Sequence, residues 1–147
     1  ASTVEPKLGP DPKLMVAWDA TANASIAQTA TAAPPAQKNT KTIAGVWAGT
    51  MDFTNDPAHT EDVEVQIDPD CAVNSICGFV NNLTVHCKWE LTYRGTQADA
   101  FLLEHTKTLS GDCPASGVGQ YTLLASGKLE RKHVTPDFTA SGVMTRK

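Results

Sequence analysis

The most regular run of alternating hydrophobic and polar positions lies between Leu14 and Ile26. Leu14, Val16, Trp18, Ala20, Ala22, Ala24 and Ile26 are apolar, and after Ala17 the residues between them are Asp19, Thr21, Asn23 and Ser25. Alternation of this kind is the mark of a strand with one buried face. At about 3.3 Å per residue the strand would extend roughly 40 Å, well beyond a usual strand. Pro10 and Pro12 precede it and Pro34 and Pro35 follow it. The pattern therefore predicts a long one-sided strand, reaching over about 13–32, that needs a groove to lie in. A helix is the rival: Asp11-Pro12 suits a helix start, and Leu14, Trp18, Ala22 and Ile26 recur every four residues. That stripe drifts against a period of 3.6, and Thr21, Asn23 and Ser25 are indifferent helix formers. A disordered tail is the third reading.

From Ile43 onward every pattern is that of short strands. Ile43, Trp47, Met51 and Phe53 share one parity, as do Val63, Val65 and Ile67. The stretch from Leu83 to Tyr93 places Leu83, Val85, Cys87, Trp89, Leu91 and Tyr93 on a single face and reads as the core strand. Asn55–Thr60 reads as a turn and Asp68–Gly78 as a loop. Strands follow at Ala100–Leu109, Gln120–Ala125, Lys128–Val134 and Phe138–Thr145. In Ala100–Leu103 both parities are apolar, which suggests burial on both faces. Nothing after Thr42 asks for a helix. The expected fold is all-β, an antiparallel barrel or sandwich, preceded by the long extended strand.

Composition places the boundary between the two parts. Five of the nine prolines lie before Thr42, and nine of the ten glycines lie after it. Residues 1–42 read as an N-terminal extension, with 33–42 as a Pro-containing linker, and 43–147 as the globular domain. Hydrophobic content of 41% suffices for one core only. No run of apolar residues is long enough to span a membrane, and the first residues read as a mature form after a removed signal peptide. A net charge of −4 speaks against nucleic acid, whose binding rests on clustered Lys and Arg. No Lys or Arg stands between Lys41 and Lys88, where Asp52, Asp56, Glu61, Asp62, Glu64, Asp68 and Asp70 fall. A solvated acidic edge accounts for that run. A weak calcium site at Asp68 and Asp70 is the sharper alternative, without EF-hand spacing.

The four cysteines, Cys71, Cys77, Cys87 and Cys113, contain no CxxC and match no zinc spacing. An even count in a small chain that reads as secreted suggests two disulfides and an oxidising compartment. Of the three possible connectivities, Cys71–Cys77 with Cys87–Cys113 is expected. Cys71 and Cys77 would close a short loop, and Cys87 would tie a strand to a distant turn. Sequons stand at Asn23-Ala24-Ser25 and Asn82-Leu83-Thr84, making Asn23 and Asn82 candidate glycan carriers. Thr29 and Thr31 are weaker O-linked candidates.

No catalytic constellation is visible. GxSxG, HExxH, phosphate-loop and dinucleotide motifs are absent, so neither an enzyme nor a cofactor is expected. His59, His86, His105 and His133 lie in different segments, and His86 is expected at the surface. Trp47, Trp89 and Tyr93 are candidates to line a ligand cavity, although core packing explains the same parity.

The arrangement of Leu14–Ile26, the Pro34-Pro35 linker and a small disulfide-containing β domain resembles the donor-strand fibre subunits of pilin-like filaments. Gly45-Val46-Trp47-Ala48-Gly49 is similar to the opening of small secreted bacterial β domains. The resemblance implies a structural subunit of an extracellular, cell-surface filament. In such fibres each chain inserts its strand, through Leu14, Val16, Trp18, Ala20, Ala22, Ala24 and Ile26, into the next copy. Its partners would be copies of itself, with covalent glycans. The alternative is a monomeric secreted β-barrel that binds a small apolar ligand or glycan.

Overall fold

A computed structural model describes residues 38–147. A short 3-10 turn, Thr40–Ile43, leads into eight strands: β1 Gly45–Phe53, β2 Asp56–Ile67, β3 Ile76–Asn82, β4 Cys87–Gln97, β5 Ala100–Ser110, β6 Val118–Leu123, β7 Leu129–Val134 and β8 Thr139–Arg146. Each strand pairs antiparallel with the next, and β8 returns to β1, so the sheet closes into a barrel. The fold is all-β, and no helix among the described residues is long and apolar enough to cross a membrane. The donor-strand residues Leu14–Ile26, Asn23, Thr29 and Thr31 lie outside the described residues.

Closure depends on close approach at the β1–β8 seam. The ladder joins Trp47 to Arg146 at one end and Phe53 to Ala140 at the other. Between them Gly142 runs so near β1 that a Cβ there would lie 2.2 Å from the Thr50 carbonyl oxygen. Because every strand has two neighbours, the ring leaves no free edge among the described residues for a further strand to extend.

Alternation sorts side chains to the two faces of the wall. Trp47, Met51, Val65, Ile67, Val80, Leu91, Tyr93, Leu103, Tyr121, Leu129 and Met144 are buried inside. One end of the barrel is plugged. Ile43 and Thr40 are fully buried there, Tyr93 donates its hydroxyl to the Lys38 carbonyl at 2.7 Å, and Thr40 donates to the Asp68 carbonyl at 2.8 Å. The folded domain therefore begins before Thr42, and the end of the expected linker belongs to the barrel's closure.

Cys71 is joined to Cys77 and Cys87 to Cys113, with no cysteine left free. Two disulfides suit an oxidising compartment.

Several local expectations are corrected. The expected turn at Asn55–Thr60 is shorter, because β2 already starts at Asp56, and the expected loop ends where β3 starts at Ile76. Core strand β4 begins at Cys87, not at Leu83. Asn82 Oδ1 accepts hydrogen bonds from the Thr84 and Val85 backbone N–H groups and turns the chain. His86 then takes a left-handed φ of 59°, and Leu83 and Val85 are left exposed. In β5, Phe101 and Leu103 point inward while Ala100 and Leu102 are only half-buried outside. A single-layer wall has one dry face, so the second apolar parity is not a second core face.

Gly78 carries one further structural demand. Its φ is 131°, and a Cβ would meet the Gln66 carbonyl oxygen at 2.0 Å. Gly78→Ala is expected to cost about 2–3 kcal/mol, through backbone strain and displacement of β2. A urea titration in which its midpoint matches the parent's would contradict this.

Candidate functional site

The barrel is filled at one end and hollow at the other. An up-and-down meander gathers alternate connections at each end. The β1–β2, β3–β4, β5–β6 and β7–β8 connections surround a cavity of about 530 Å³. An eight-stranded barrel is just wide enough to be packed with side chains or to hold one small ligand, and here the two options occupy the two ends.

The change follows from the inward positions read along each strand. In β7 the buried residues are Leu129, Arg131 and His133; in β5 they are Phe101, Leu103 and His105. Apolar residues therefore lie toward the plug, and polar ones lie toward the open end. Phe53 of β1, Trp89 of β4 and Phe138 of the β7–β8 connection supply aromatic walls, joined by Met51, Val63, Val80 and Ala140. Phe53 and Phe138 touch, with ring centroids 5.3 Å apart.

Arg131, His105 and His133 form a buried polar group in this wall, at 3%, 5% and 7% exposure. Arg131 Nε donates to the Tyr121 hydroxyl at 2.9 Å, and Nη2 lies 3.4 Å from His105 Nε2. A guanidinium can only donate, so that nitrogen of His105 is the unprotonated one. His105 stacks between two rings, with Trp89 at 4.9 Å and His133 at 4.1 Å. Trp89 is held in turn by the β5–β6 loop. Its Nε1 donates to the Cys113 and Pro114 carbonyls, and the Cys87–Cys113 bridge fastens that loop to β4.

Burial dictates the charge of this cluster. Desolvation, then the neighbouring His133 and Arg131, depress the His105 pKa to about 2. Desolvation, followed by Arg131, depresses that of His133 to about 3, against an opposing contact with the Ser116 backbone. Both imidazoles are neutral at neutral pH, so the positive charge of Arg131 stands without a compensating one. No carboxylate forms an ion pair with it among the described residues. His133 Nδ1 is buried with no hydrogen-bond partner.

The rim is more polar. Glu61 accepts from the Asn82 side-chain amide and pairs with His59 at 2.7 Å. Asn82, expected to carry a glycan, is only 6% exposed, and its amide nitrogen is turned to Glu61. Asn82 is thus a wall residue of the cavity. Of the three aromatic candidates only Trp89 lines the cavity. Trp47 and Tyr93 are packed at the plugged end, Trp47 under the Arg146 guanidinium and Tyr93 against Lys38. No group of three or more His, Cys, Asp or Glu among the described residues is placed to hold a metal ion, and Asp70 instead contacts the Asn39 side chain and the Lys41 ammonium.

No protein-family model, curated protein or solved structure matches this chain.

Proposed function

We propose that this chain is a secreted binding module that holds one small, mainly apolar molecule in the open end of its barrel. The observation that carries this reading is the 530 Å³ cavity with aromatic walls and a few convergent polar groups. That combination is what small-molecule sites share. A core built only for stability would have been filled, since each unfilled volume costs dispersion and transfer energy. The plugged end is filled in this way, by Trp47, Tyr93 and Ile43. Val85 lines the cavity, and exposed Leu83 stands beside it in the β3–β4 connection, so the entrance offers an apolar approach.

The donor-strand filament is a separate proposal about residues 14–26. A closed ring gives an incoming strand no edge to pair with, so such a filament would have to use another surface. The binding reading needs no partner chain.

The neutral dye N-phenyl-1-naphthylamine is expected to bind with a stoichiometry of one and to gain fluorescence. Ala140 lies inside the cavity on β8, whereas Val143 on the same strand is exposed. Ala140→Trp should weaken dye binding at least about tenfold by occupying the space, and Val143→Trp should leave it unchanged. Equal binding by the parent and Ala140→Trp would show that the dye, if bound, sits elsewhere and would overturn the proposal.

A further inference from the structure

We infer that the cavity selects apolar molecules that carry a carboxylate, and that Arg131 is the residue that reads the carboxylate. The inference rests on the cavity being a ligand site and adds the chemical class of the ligand. A buried guanidinium costs several kcal/mol in lost hydration unless a partner compensates it. Arg131 is 97% buried, yet its two hydrogen-bond partners are the Tyr121 hydroxyl and His105 Nε2, it lies over the Tyr121 ring, and none of these contacts is with a carboxylate. A guanidinium has five N–H donors in a planar fork. Two are engaged, and Nη1 has no hydrogen-bond partner among the described residues.

The electrostatics point the same way. Arg131, His105 and His133 all line the cavity, and nothing among them is negative. The two acids of the rim are both engaged elsewhere: Glu61 with His59 and Asn82, and Asp56 with the Ala58 backbone N–H. An anion entering the cavity therefore finds a cation that has been desolvated in advance and whose free edge is oriented. Tyr121 and the stacked imidazoles hold the fork in place, so little side-chain freedom is lost on binding. Planar carboxylate geometry matches that fork. The orphaned His133 Nδ1 is a second unsatisfied group in the same wall, open to a polar group brought by the ligand. Beyond this polar group the walls are Phe53, Trp89, Phe138, Val63 and Val80, which suit a hydrocarbon body.

The test is a matched pair, decanoate and 1-decanol, each displacing N-phenyl-1-naphthylamine below the concentration at which it self-associates. For the parent chain, decanoate is expected to displace the dye at a concentration at least about tenfold lower than decanol. In Arg131→Met, which keeps the stem and loses the charge, that preference should vanish while dye and decanol still bind. Retained dye binding also certifies that the variant is folded. Arg131→Lys should restore part of the preference, because it returns the charge without the fork. Equal displacement by decanoate and decanol in the parent would overturn the carboxylate inference and leave the binding module standing. So would a preference unchanged in Arg131→Met. If neither compound nor the dye binds the parent, the cavity is not a ligand site and both readings fall.

Discussion

Trp47→Ala is expected to lower the unfolding free energy by about 3–5 kcal/mol, the usual cost of truncating a buried aromatic residue. Trp47 has no exposed surface, and two elements depend on it, the Thr40–Ile43 turn and the last strand. Its Nε1 donates to the Ile43 carbonyl at 2.9 Å, which holds the Thr40–Ile43 turn across the barrel end. Its ring lies 4.2 Å beneath the Arg146 guanidinium. Arg146 continues from the ring to the Ala44 and Thr42 carbonyls, so the last strand is tied to the segment before the first. Removing the indole opens a void, orphans the Ile43 carbonyl and leaves Arg146 with nothing to stack on. Trp47→Phe keeps most of the packing but loses the N–H donor, and should cost about 1–2 kcal/mol. Because Trp47 is not part of the cavity wall, native Trp47→Ala should still bind N-phenyl-1-naphthylamine with near-parent affinity. Urea titrations followed by fluorescence measure the first effect and dye titration the second. A stability loss below about 1 kcal/mol would mean that the plug is not organised around this residue.

The sequence made the class of fold legible because β alternation is a local signal. Trp47 and Met51, Val63 and Val65, and Leu91 and Tyr93 each announce an inward face, and each is buried. The edges of elements were harder to read for physical reasons. Leu83 and Val85 continue the apolar parity of β4, but the Asn82 side chain captures the next backbone N–H groups and makes a turn of them. Strand β3 overlaps the end of the expected loop and continues through 79–82, which no expected element claimed, because Gly78 and the two asparagines Asn81 and Asn82 look like turn residues. Only the ring of neighbours on both sides makes them a strand.

The site was less legible still. His105 and His133 are far apart in sequence and meet only because β5 and β7 both flank β6. One signal was nevertheless present. In Leu129–Val134, Arg131 and His133 share the parity of Leu129, and His105 shares that of Phe101 and Leu103. A charged or titratable residue on the apolar parity of a strand is out of place for packing alone, and in this barrel such residues mark the cavity. The Asn82 sequon, by contrast, says nothing about burial, and the fold places that asparagine in the cavity wall.

Acidification should destabilise the protein sharply between pH 7 and pH 5. His105 and His133 are depressed from an ordinary 6.5 to about 2 and about 3. Below pH 6.5 the unfolded chain takes up two protons that the folded chain refuses, so stability rises with pH through this window and levels off above it. Because pH 5 still lies above both folded values, the loss over these two units is set by the unfolded pKa alone. It amounts to about 2 kcal/mol for each histidine and about 4 kcal/mol for both. Apart from the Ser116 backbone contact of His133, which opposes it, the groups around the pair reinforce the direction. Arg131 repels a second positive charge on either ring, Trp89 and Tyr121 offer no anion, and the rim carboxylate Glu61 is engaged with His59 and Asn82. Urea unfolding at pH 7, 6 and 5 gives the slope directly. His105→Gln and His133→Gln should each remove about half of the loss and the double variant nearly all of it, whatever their own stability at pH 7. A parent that loses less than about 1 kcal/mol over this range would mean the imidazoles can be protonated in the folded barrel. A double variant as acid-sensitive as the parent would place the sensitivity elsewhere in the chain.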